Sequence, residues 1–228
     1  ADAILVLCRT ETPEEGKRAR GLSLVLTPRN QPAVTVRRLE LMGMRAACTC
    51  EVFFDDARAP LDAVVGERGR GWYHLLATLD EERILCAAMY VGITSAALDQ
   101  ALQYARDRNA FGRPIGGFQA VKHRCADMLV DVEGMRSTAY WASWSIGADN
   151  DASVAASTAK IWGSDAAKRV MASALQVHGG IGFTWEHDLH FSMKRAHLDQ
   201  LAFGDAAVHR ARLVELLRPR VEAGASVV

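Results

Sequence analysis

The sequence predicts an α+β protein in which a partial antiparallel β-domain is followed by an up-and-down helical bundle. Residues 1–66 carry short β-rich runs separated by polar loops, with no helical pattern between them, which is typical of an antiparallel sheet. From residue 67 onward, apolar residues recur at every third or fourth position, which is the period of an amphipathic helix. We therefore divide the 228 residues into a β-domain, 1–66, and a helical domain, 67–228.

Four segments of the first domain are predicted to be strands. They are short, rich in β-branched and apolar residues, and bounded by proline or by polar turns. The segments are 3–7, 22–26, 33–36 and 50–54. A polar loop with a proline and two glycines, 11–21, separates the first two of them.

The second domain is predicted to hold four or more long amphipathic helices. The connections between them are short, which favours neighbouring helices that run up and down in a bundle. The helical pattern covers 72–105, 118–147, 151–178, 188–201 and 205–221. A loop with glycine and proline, 109–117, interrupts it after the first helix, and the glycine-rich segment 179–182 interrupts it after the third.

Composition and charge exclude several classes of partner. The 27 Lys and Arg residues balance the 27 Asp and Glu residues, so no net charge attracts nucleic acid or an anionic membrane. No run approaches the roughly 20 uninterrupted apolar residues of a membrane span. The five cysteines lack disulfide or zinc spacing, and the first residues do not resemble a signal peptide. We therefore expect a cytoplasmic protein without a metal site, and the strand-like start without Met indicates a fragment or a processed chain.

The first candidate site is Leu79-Asp80-Glu81-Glu82-Arg83, early in the first long helix. A charged turn in solvent is the simpler interpretation, and the motif alone favours it. The alternative is a carboxylate base beside Arg83, which requires desolvation to raise the pKa of the carboxyl. Ile84 and Leu85 follow directly, so one of the two glutamates is expected near an apolar face.

The second candidate site is the segment 106–115 together with Phe118 and Gln119. Arg108 could hold a pyrophosphate through its bidentate fork, and Gln119 could bond to the edge of a cofactor. The alternative is an ordinary helix end, where cations offset the helix dipole and a glycine ends the helix. Taken by itself, the segment favours the helix end.

The third candidate site is Gln176-Val177-His178-Gly179-Gly180-Ile181-Gly182. Its glycines would let the backbone approach a ligand or another chain closely. The segment lacks the strand–turn–helix setting of a dinucleotide-binding fingerprint, and His178 has no metal partner one turn away. A plain turn between two helices is the interpretation that the motif alone favours.

In this order, the segments together resemble the acyl-CoA dehydrogenase family. The stretch 39–56 is similar to the end of that family's β-domain, and the turn 66–71 leads into its C-terminal helices. Three further family segments are matched by Leu79-Asp80-x-Glu82-Arg83, by Arg108-x-x-Phe111-Gly112 with Phe118-Gln119, and by Gln176-x-x-Gly179-Gly180-x-Gly182. The family fold is an N-terminal helical domain, a middle β-domain and a C-terminal four-helix bundle. The resemblance implies that this chain holds the second half of the β-domain and the bundle.

The resemblance also implies a reaction, the FAD-dependent α,β-dehydrogenation of an acyl-CoA thioester to the trans-2-enoyl-CoA, as in fatty-acid β-oxidation. The electrons would pass to an electron-transfer flavoprotein. The family carries its base either in a Glu–Gly pair near the last helix or, as in isovaleryl-CoA and long-chain dehydrogenases, in the Glu of L-D-x-E-R. Phe203 occupies the first position here, so Glu82 is the predicted base. The residues implied to contact substrate are Asp80, Glu81, Arg83, Phe203 and Gly204.

The resemblance implies that a second group of residues contacts FAD, and it also implies a subunit partner. The group consists of Arg108, Phe111, Phe118, Gln119, Gln176, Gly179 and Gly180. The resemblance implies that this FAD belongs to a neighbouring subunit of a homodimer or homotetramer. One departure is Gly204-Asp205-Ala206-Ala207, which lacks the hydroxyl groups of the family's Gly-Thr-Ser run. Three alternatives stay open: a non-catalytic subunit of a heteromeric acyl-CoA dehydrogenase, an acyl-CoA oxidase, and a helical scaffold without a ligand.

Overall fold

The computed structural model describes residues 1–13, 15–148 and 150–226. The chain divides into two compact units, Ala1–Leu79 and Asp80–Val228. The predicted α+β class is confirmed, because small antiparallel sheets occupy the first unit and long helices dominate the second.

The first unit contains two small antiparallel sheets. In one, β1 (Ala3–Arg9) pairs with β2 (Leu22–Pro28), and β2 pairs on its other side with the short β5 (Val64–Val65). In the other, β3 (Val34–Arg38) pairs with β4 (Cys50–Phe54). The four predicted strands are confirmed. The sequence did not predict β5, because two residues are too few to show a period.

Five long helices follow the sheets. They are α1 (Gly71–Asp107), α2 (Gln119–Gly147), α3 (Ser153–His178), α4 (Leu189–Leu201) and α5 (Ala206–Glu222). Each lies within two residues of its predicted bounds, so the helical prediction is confirmed. The first nine residues of α1 belong to the first unit, and the other helices lie in the second.

The core of the second unit is built around α3, whose buried face consists largely of small residues. Small side chains let neighbouring helices approach closely, so larger residues on α1 and α2 can fill the remaining space. Tyr90, Met128 and Met135 are among the largest fully buried side chains. The small residues of α3 buried in this way are Ala155, Ala156, Ser157, Ala159, Gly163, Ser164, Ala166, Ala167 and Ala174.

The connection between α1 and α2 is a tight hairpin, where the sequence predicted only a loop. The strand β6 (Asn109–Ala110) pairs with β7 (Arg113–Pro114) around Phe111 and Gly112. Both turn residues have positive φ, 53° and 80°, as a two-residue type I′ turn requires. A phenylalanine in this conformation costs about 1 kcal/mol, and its side chain is 94% exposed. Strain of this kind on an exposed side chain is a common feature of functional sites.

Helix α1 is also long and apolar enough to cross a membrane by length and composition. Core helices of globular proteins pass the same test, and 44% of its most apolar window is buried inside the protein. The property is therefore weak support for a membrane span.

Candidate functional site

Asp80 lies at the centre of a half-buried network of ionic hydrogen bonds that joins three helices. Its Oδ1 accepts a hydrogen bond from Arg83 Nη1 at 2.7 Å. Its Oδ2 accepts from Arg212 Nη2 on α5 at 2.9 Å and from Ser153 Oγ on α3 at 3.0 Å. Burial raises the pKa of Asp80, but the hydrogen bonds from Arg212 and Arg83 outweigh it and hold the pKa below its usual value. The L-D-x-E-R segment is thereby fixed to α3 and α5.

Glu81 and Glu82 follow Asp80 on the same turn, and both are exposed. No hydrogen bond or ion pair to either carboxylate is found among the residues that the structure describes. Leu85 lies three residues after Glu82, on the same side of α1, and its side chain is 59% exposed. The predicted base is thus a solvent-facing carboxylate with an uncovered apolar neighbour.

The end of α4 lies against the turn of α1 that follows Glu82. Cys86, one turn after Glu82, donates a hydrogen bond from Sγ to the carbonyl oxygen of Asp199 at 3.3 Å. The chain then leaves α4 through the turn 201–205, where Leu201 is 70% exposed and Phe203 is 42% exposed. The structure therefore brings the two alternative positions of the family's base, Glu82 and Phe203, to the same end of the bundle.

The turn 201–205 has a fixed backbone geometry. Phe203 and Gly204 both have positive φ, 58° and 97°, which reverses the chain between α4 and α5. Asp205 caps α5 by accepting a hydrogen bond from Val208 N at 2.9 Å. His209 Nε2 lies 3.0 Å from the carbonyl oxygen of Phe203, so Nε2 carries the proton and donates it. Burial lowers the pKa of His209, which favours this neutral form.

The residues predicted to contact FAD gather at the opposite end of the bundle. The rings of Tyr104 on α1 and His178 on α3 lie 4.8 Å apart, which places the last turns of the two helices side by side. Arg108 follows Tyr104 by one turn, and Gly179 and Gly180 follow His178 directly. The second and third candidate segments are therefore neighbours in space, although 56 residues lie between Gln119, the end of the second, and Gln176, the start of the third.

This end of the bundle has the properties that a cofactor with a pyrophosphate requires. Arg108, Gln119 and Gln176 are exposed, and no side-chain partner for them occurs within the described part of the chain. A Cβ placed on Gly179 or Gly180 would meet no atom within 4 Å, so the backbone there is open to a ligand. The remaining two residues of the group are aromatic: Phe111 is exposed, and Phe118 is half-buried beneath the Arg113 guanidinium, 4.1 Å from its ring centroid.

The two groups of residues do not form one site within a single chain. Glu82 and the end of α1 at Asp107 are 25 residues apart on one continuous helix. At 1.5 Å per residue this is about 38 Å, which is longer than an extended flavin–adenine dinucleotide. Glu82 and Arg108 of one chain therefore cannot contact the same FAD molecule.

Sequence reasoning missed the residues that hold these segments in place. Arg212 and Ser153 bond to Asp80, and His209 bonds to the carbonyl of Phe203. None of them belongs to a local motif, because each acts on a residue more than five positions away. Lys160 is also buried, and sequence reasoning missed it as well. A lysine on a helix face that otherwise consists of small residues was the one sequence feature that could have indicated a buried polar site. Across the described ranges, no group of three or more His, Cys, Asp or Glu residues could hold a metal ion.

Two family models match most of the chain. Residues 69–217 match the family model "Acyl-CoA dehydrogenase, C-terminal domain", and residues 1–57 match "Acyl-CoA dehydrogenase, middle domain". The chain is 32% identical over 92% of its length to the probable acyl-CoA dehydrogenase YngJ of Bacillus subtilis, of which it covers 55%. It is 34% identical over 92% of its length to cyclohex-1-ene-1-carbonyl-CoA dehydrogenase of Syntrophus aciditrophicus, of which it covers 50%.

A solved structure with the same fold is the acyl-CoA dehydrogenase from Geobacillus kaustophilus. The TM-score is 0.91 at 31% identity, and the match covers 95% of this chain and 57% of that one. The chain thus spans about half the length of the relatives that it matches.

Proposed function

Because this chain belongs to the acyl-CoA dehydrogenase family, we propose that the full-length protein carrying it converts an acyl-CoA thioester to the trans-2-enoyl-CoA with FAD. We further propose that the electrons pass to an electron-transfer flavoprotein. The cyclic substrate named for one relative and the family as a whole support a thioester substrate.

The observation that carries the proposal is the local environment of the Glu82 carboxylate. The carboxylate has no partner within the described chain, while Asp80 and Arg83 beside it are bonded to each other. Leu85, on the same side of α1, and the turn 201–205, at the same end of the bundle, offer exposed apolar side chains. An acyl chain bound on this surface would displace water from Glu82, and desolvation raises the pKa of a carboxyl toward that of an effective base. Glu82 would then take the α-proton of the thioester.

FAD supplies the acceptor for the β-hydrogen, which leaves the substrate as hydride. Arg108 would bond to the cofactor's pyrophosphate through its guanidinium, and Gln119 and Gln176 would bond to polar edges of its adenine half. Gly179 and Gly180 would let the backbone approach the cofactor closely. These roles follow from the family resemblance and fit the exposed, unpartnered state of the side chains.

The length of α1 supports a shared cofactor site. The seven residues implied to contact FAD form what we call the Arg108 group: Arg108, Phe111, Phe118, Gln119, Gln176, Gly179 and Gly180. Since one chain cannot offer Glu82 and Arg108 to the same FAD, the Arg108 group would bind the FAD on which a neighbouring subunit's base acts. The protein would therefore be at least a dimer, with a homodimer or homotetramer as the simplest assembly.

One observation favours a second candidate function, a non-catalytic subunit of a heteromeric dehydrogenase. By the family resemblance, Phe203 stands at the Glu–Gly position of the family's base, and it cannot accept a proton. In this alternative the chain would complete the FAD site of a catalytic partner through the Arg108 group. Glu82 would then serve only as a solvent-facing charge.

The proposed function is tested with the purified full-length protein and a panel of acyl-CoAs. The protein is mixed anaerobically with short-chain, branched, cyclic and long-chain thioesters, and the absorbance of oxidised flavin is followed. We expect bound flavin and bleaching by at least one class of thioester. Flavin that no thioester bleaches would favour the non-catalytic subunit, and rapid re-oxidation by oxygen without a flavoprotein acceptor would identify an oxidase.

Replacement of Arg108 by methionine is expected to weaken FAD retention by about 10-fold, because a charge-assisted pair to the pyrophosphate is lost. The measurement is the release of FAD fluorescence on dilution of the full-length protein. The matched control is Arg220→Met, which removes an exposed arginine near the end of α5. Equal FAD release from both variants would contradict the assignment of Arg108.

A further inference from the structure

A buried polar cluster connects α1, α3 and α4 beneath the turn 201–205. Its centre is Lys160 on α3, whose side chain is fully buried. Lys160 Nζ lies 2.6 Å from the carbonyl oxygen of Asp199 and 3.3 Å from that of Gln200. It also lies 3.2 Å from Tyr90 Oη on α1 and 3.5 Å from Ser164 Oγ.

The two carbonyls that Lys160 contacts belong to the last turn of α4. The last four carbonyls of an α-helix have no intrahelical donor, so they need partners from elsewhere when the helix end is buried. Lys160 supplies donors to two of them, and the Sγ of Cys86 supplies another to Asp199 O. A positive side chain at a helix C-terminus also offsets the helix dipole.

The cost of burying Lys160 indicates that the site is built for it. Burial lowers the pKa of Lys160, and an unpaired amine in the core would be strongly unfavourable. Gly163 leaves room for Tyr90, one of the partners of Lys160, because a Cβ at this position would lie 2.5 Å from the Tyr90 ring. Asp199 is held away from Nζ by its own ion pair with Arg195 at 2.9 Å. Lys160 therefore bonds to backbone and hydroxyl oxygens and leaves the carboxylate to Arg195.

The turn that starts at these carbonyls is fixed from its other side by His209. Lys160 bonds to the carbonyls of Asp199 and Gln200, before residues 201–202. His209 bonds to the carbonyl of Phe203, directly after them. Cys86 lies one turn after Glu82 on α1 and bonds to Asp199 O, so the cluster also holds the end of α4 against the part of α1 that carries the predicted base. A shift of the α4 end would move Phe203 and Gly204 relative to Glu82.

We propose that Lys160 is a positioning residue for the dehydrogenation, because it fixes the end of α4 and thereby the turn 201–205 against which the acyl thioester lies beside Glu82. The proposal rests on the proposed function. Lys160 is fully buried, so it acts through the backbone of α4 and does not touch the substrate.

The test is Lys160→Met in the FAD-loaded full-length protein, with two measurements. Hydrogen–deuterium exchange at the Ala202 and Gly204 amides is expected to rise about 10-fold or more, because these amides close the turn at 3.0 Å and 3.3 Å to Leu198 O and Leu201 O. The limiting rate of flavin bleaching at saturating acyl-CoA is expected to fall roughly 10- to 100-fold, because a small displacement of the reacting groups from each other slows the reaction by about this factor. The half-saturating concentration of acyl-CoA should change less, because apolar binding surface is kept.

Two further variants make the outcome decisive. Lys168→Met removes an exposed lysine of the same helix and should leave both measurements unchanged. Cys86→Ala removes a single donor to Asp199 O without a change of charge, and should give a smaller effect of the same kind, about 2- to 5-fold, even if Lys160→Met fails to fold.

The possible outcomes separate the two proposals. An unchanged bleaching rate in both Lys160→Met and Cys86→Ala overturns the positioning role. If Lys160→Met instead exchanges throughout the bundle and loses FAD, the rate of Cys86→Ala decides: an unchanged rate overturns the role, and a lower rate with faster exchange confined to the turn supports it. If no acyl-CoA bleaches even the wild-type protein, the proposed function is wrong. In that case, a rise in exchange confined to the turn still supports Lys160 as the residue that fixes it, and unchanged exchange overturns that role.

Discussion

Replacement of Glu82 by glutamine is expected to lower the rate of flavin bleaching by acyl-CoA by roughly 10²–10⁴-fold, the usual effect of removing a general base. The amide has nearly the shape of the carboxylate but cannot accept the α-proton. FAD binding should be unchanged, since glutamine keeps the size and polarity of the side chain and Glu82 is not among the residues implied to hold the cofactor. The measurement is anaerobic stopped-flow absorbance of the full-length protein at saturating acyl-CoA.

The matched control is Asp99→Asn, which makes the same chemical change at an exposed position of α1. It should bleach at the wild-type rate. A second variant relocates the base: Phe203→Glu combined with Glu82→Gln should recover part of the lost rate, because both positions lie at the same end of the bundle. Equal bleaching by wild type and Glu82→Gln would place the base elsewhere.

Replacement of Asp80 by asparagine is expected to lower the free energy of unfolding by about 2–3 kcal/mol, since removal of one partner leaves a partly buried charge unpaired. The change removes the carboxylate from two arginines at once: the side chains of Arg83 and Arg212 are only 14% and 26% exposed, and Arg212 keeps only its neutral partners Ser157 Oγ and Ser153 O. The measurement is urea unfolding of the second unit, followed within the full-length protein by hydrogen exchange of amides in α3 and α5. The control is Glu215→Gln, whose ion pair with Arg218 is exposed at 67% and 55% and should contribute under about 0.5 kcal/mol.

The Asp80 contribution should also depend on pH in a defined direction. Its pKa in the folded protein lies below the reference value of 3.8, so the folded state binds the proton less readily than the unfolded state does. The stabilisation is therefore fully present above 3.8 and is lost as the pH falls through the lower, folded pKa. The difference in stability between wild type and Asp80→Asn should stay constant near neutral pH and shrink only in strong acid. A difference that grew on acidification would contradict this assignment.

The sequence alone determined the elements of the fold, because hydrophobic period is a local property of the chain. The long helices repeat their apolar positions over many turns, and α1, α3 and α5 appear within two residues of the predicted bounds. The β6–β7 hairpin and β5 were missed because each strand has two residues, which is too short for a period to be seen. The family resemblance likewise followed from local motifs in a fixed order.

Only the tertiary structure decided how the motif residues act on one another. Asp80 and Glu82 are neighbours in one motif, yet Asp80 accepts hydrogen bonds from Arg83, Arg212 and Ser153, while the Glu82 carboxylate has no partner among the residues that the structure describes. Lys160 carries no motif, and its importance is visible only where α3 meets the end of α4. The physical reason is that the strength of a polar interaction depends on burial and on partners brought from distant parts of the chain. The sequence therefore identified which residues carry charge and where the helices run, and packing determined which of those charges remain available for chemistry.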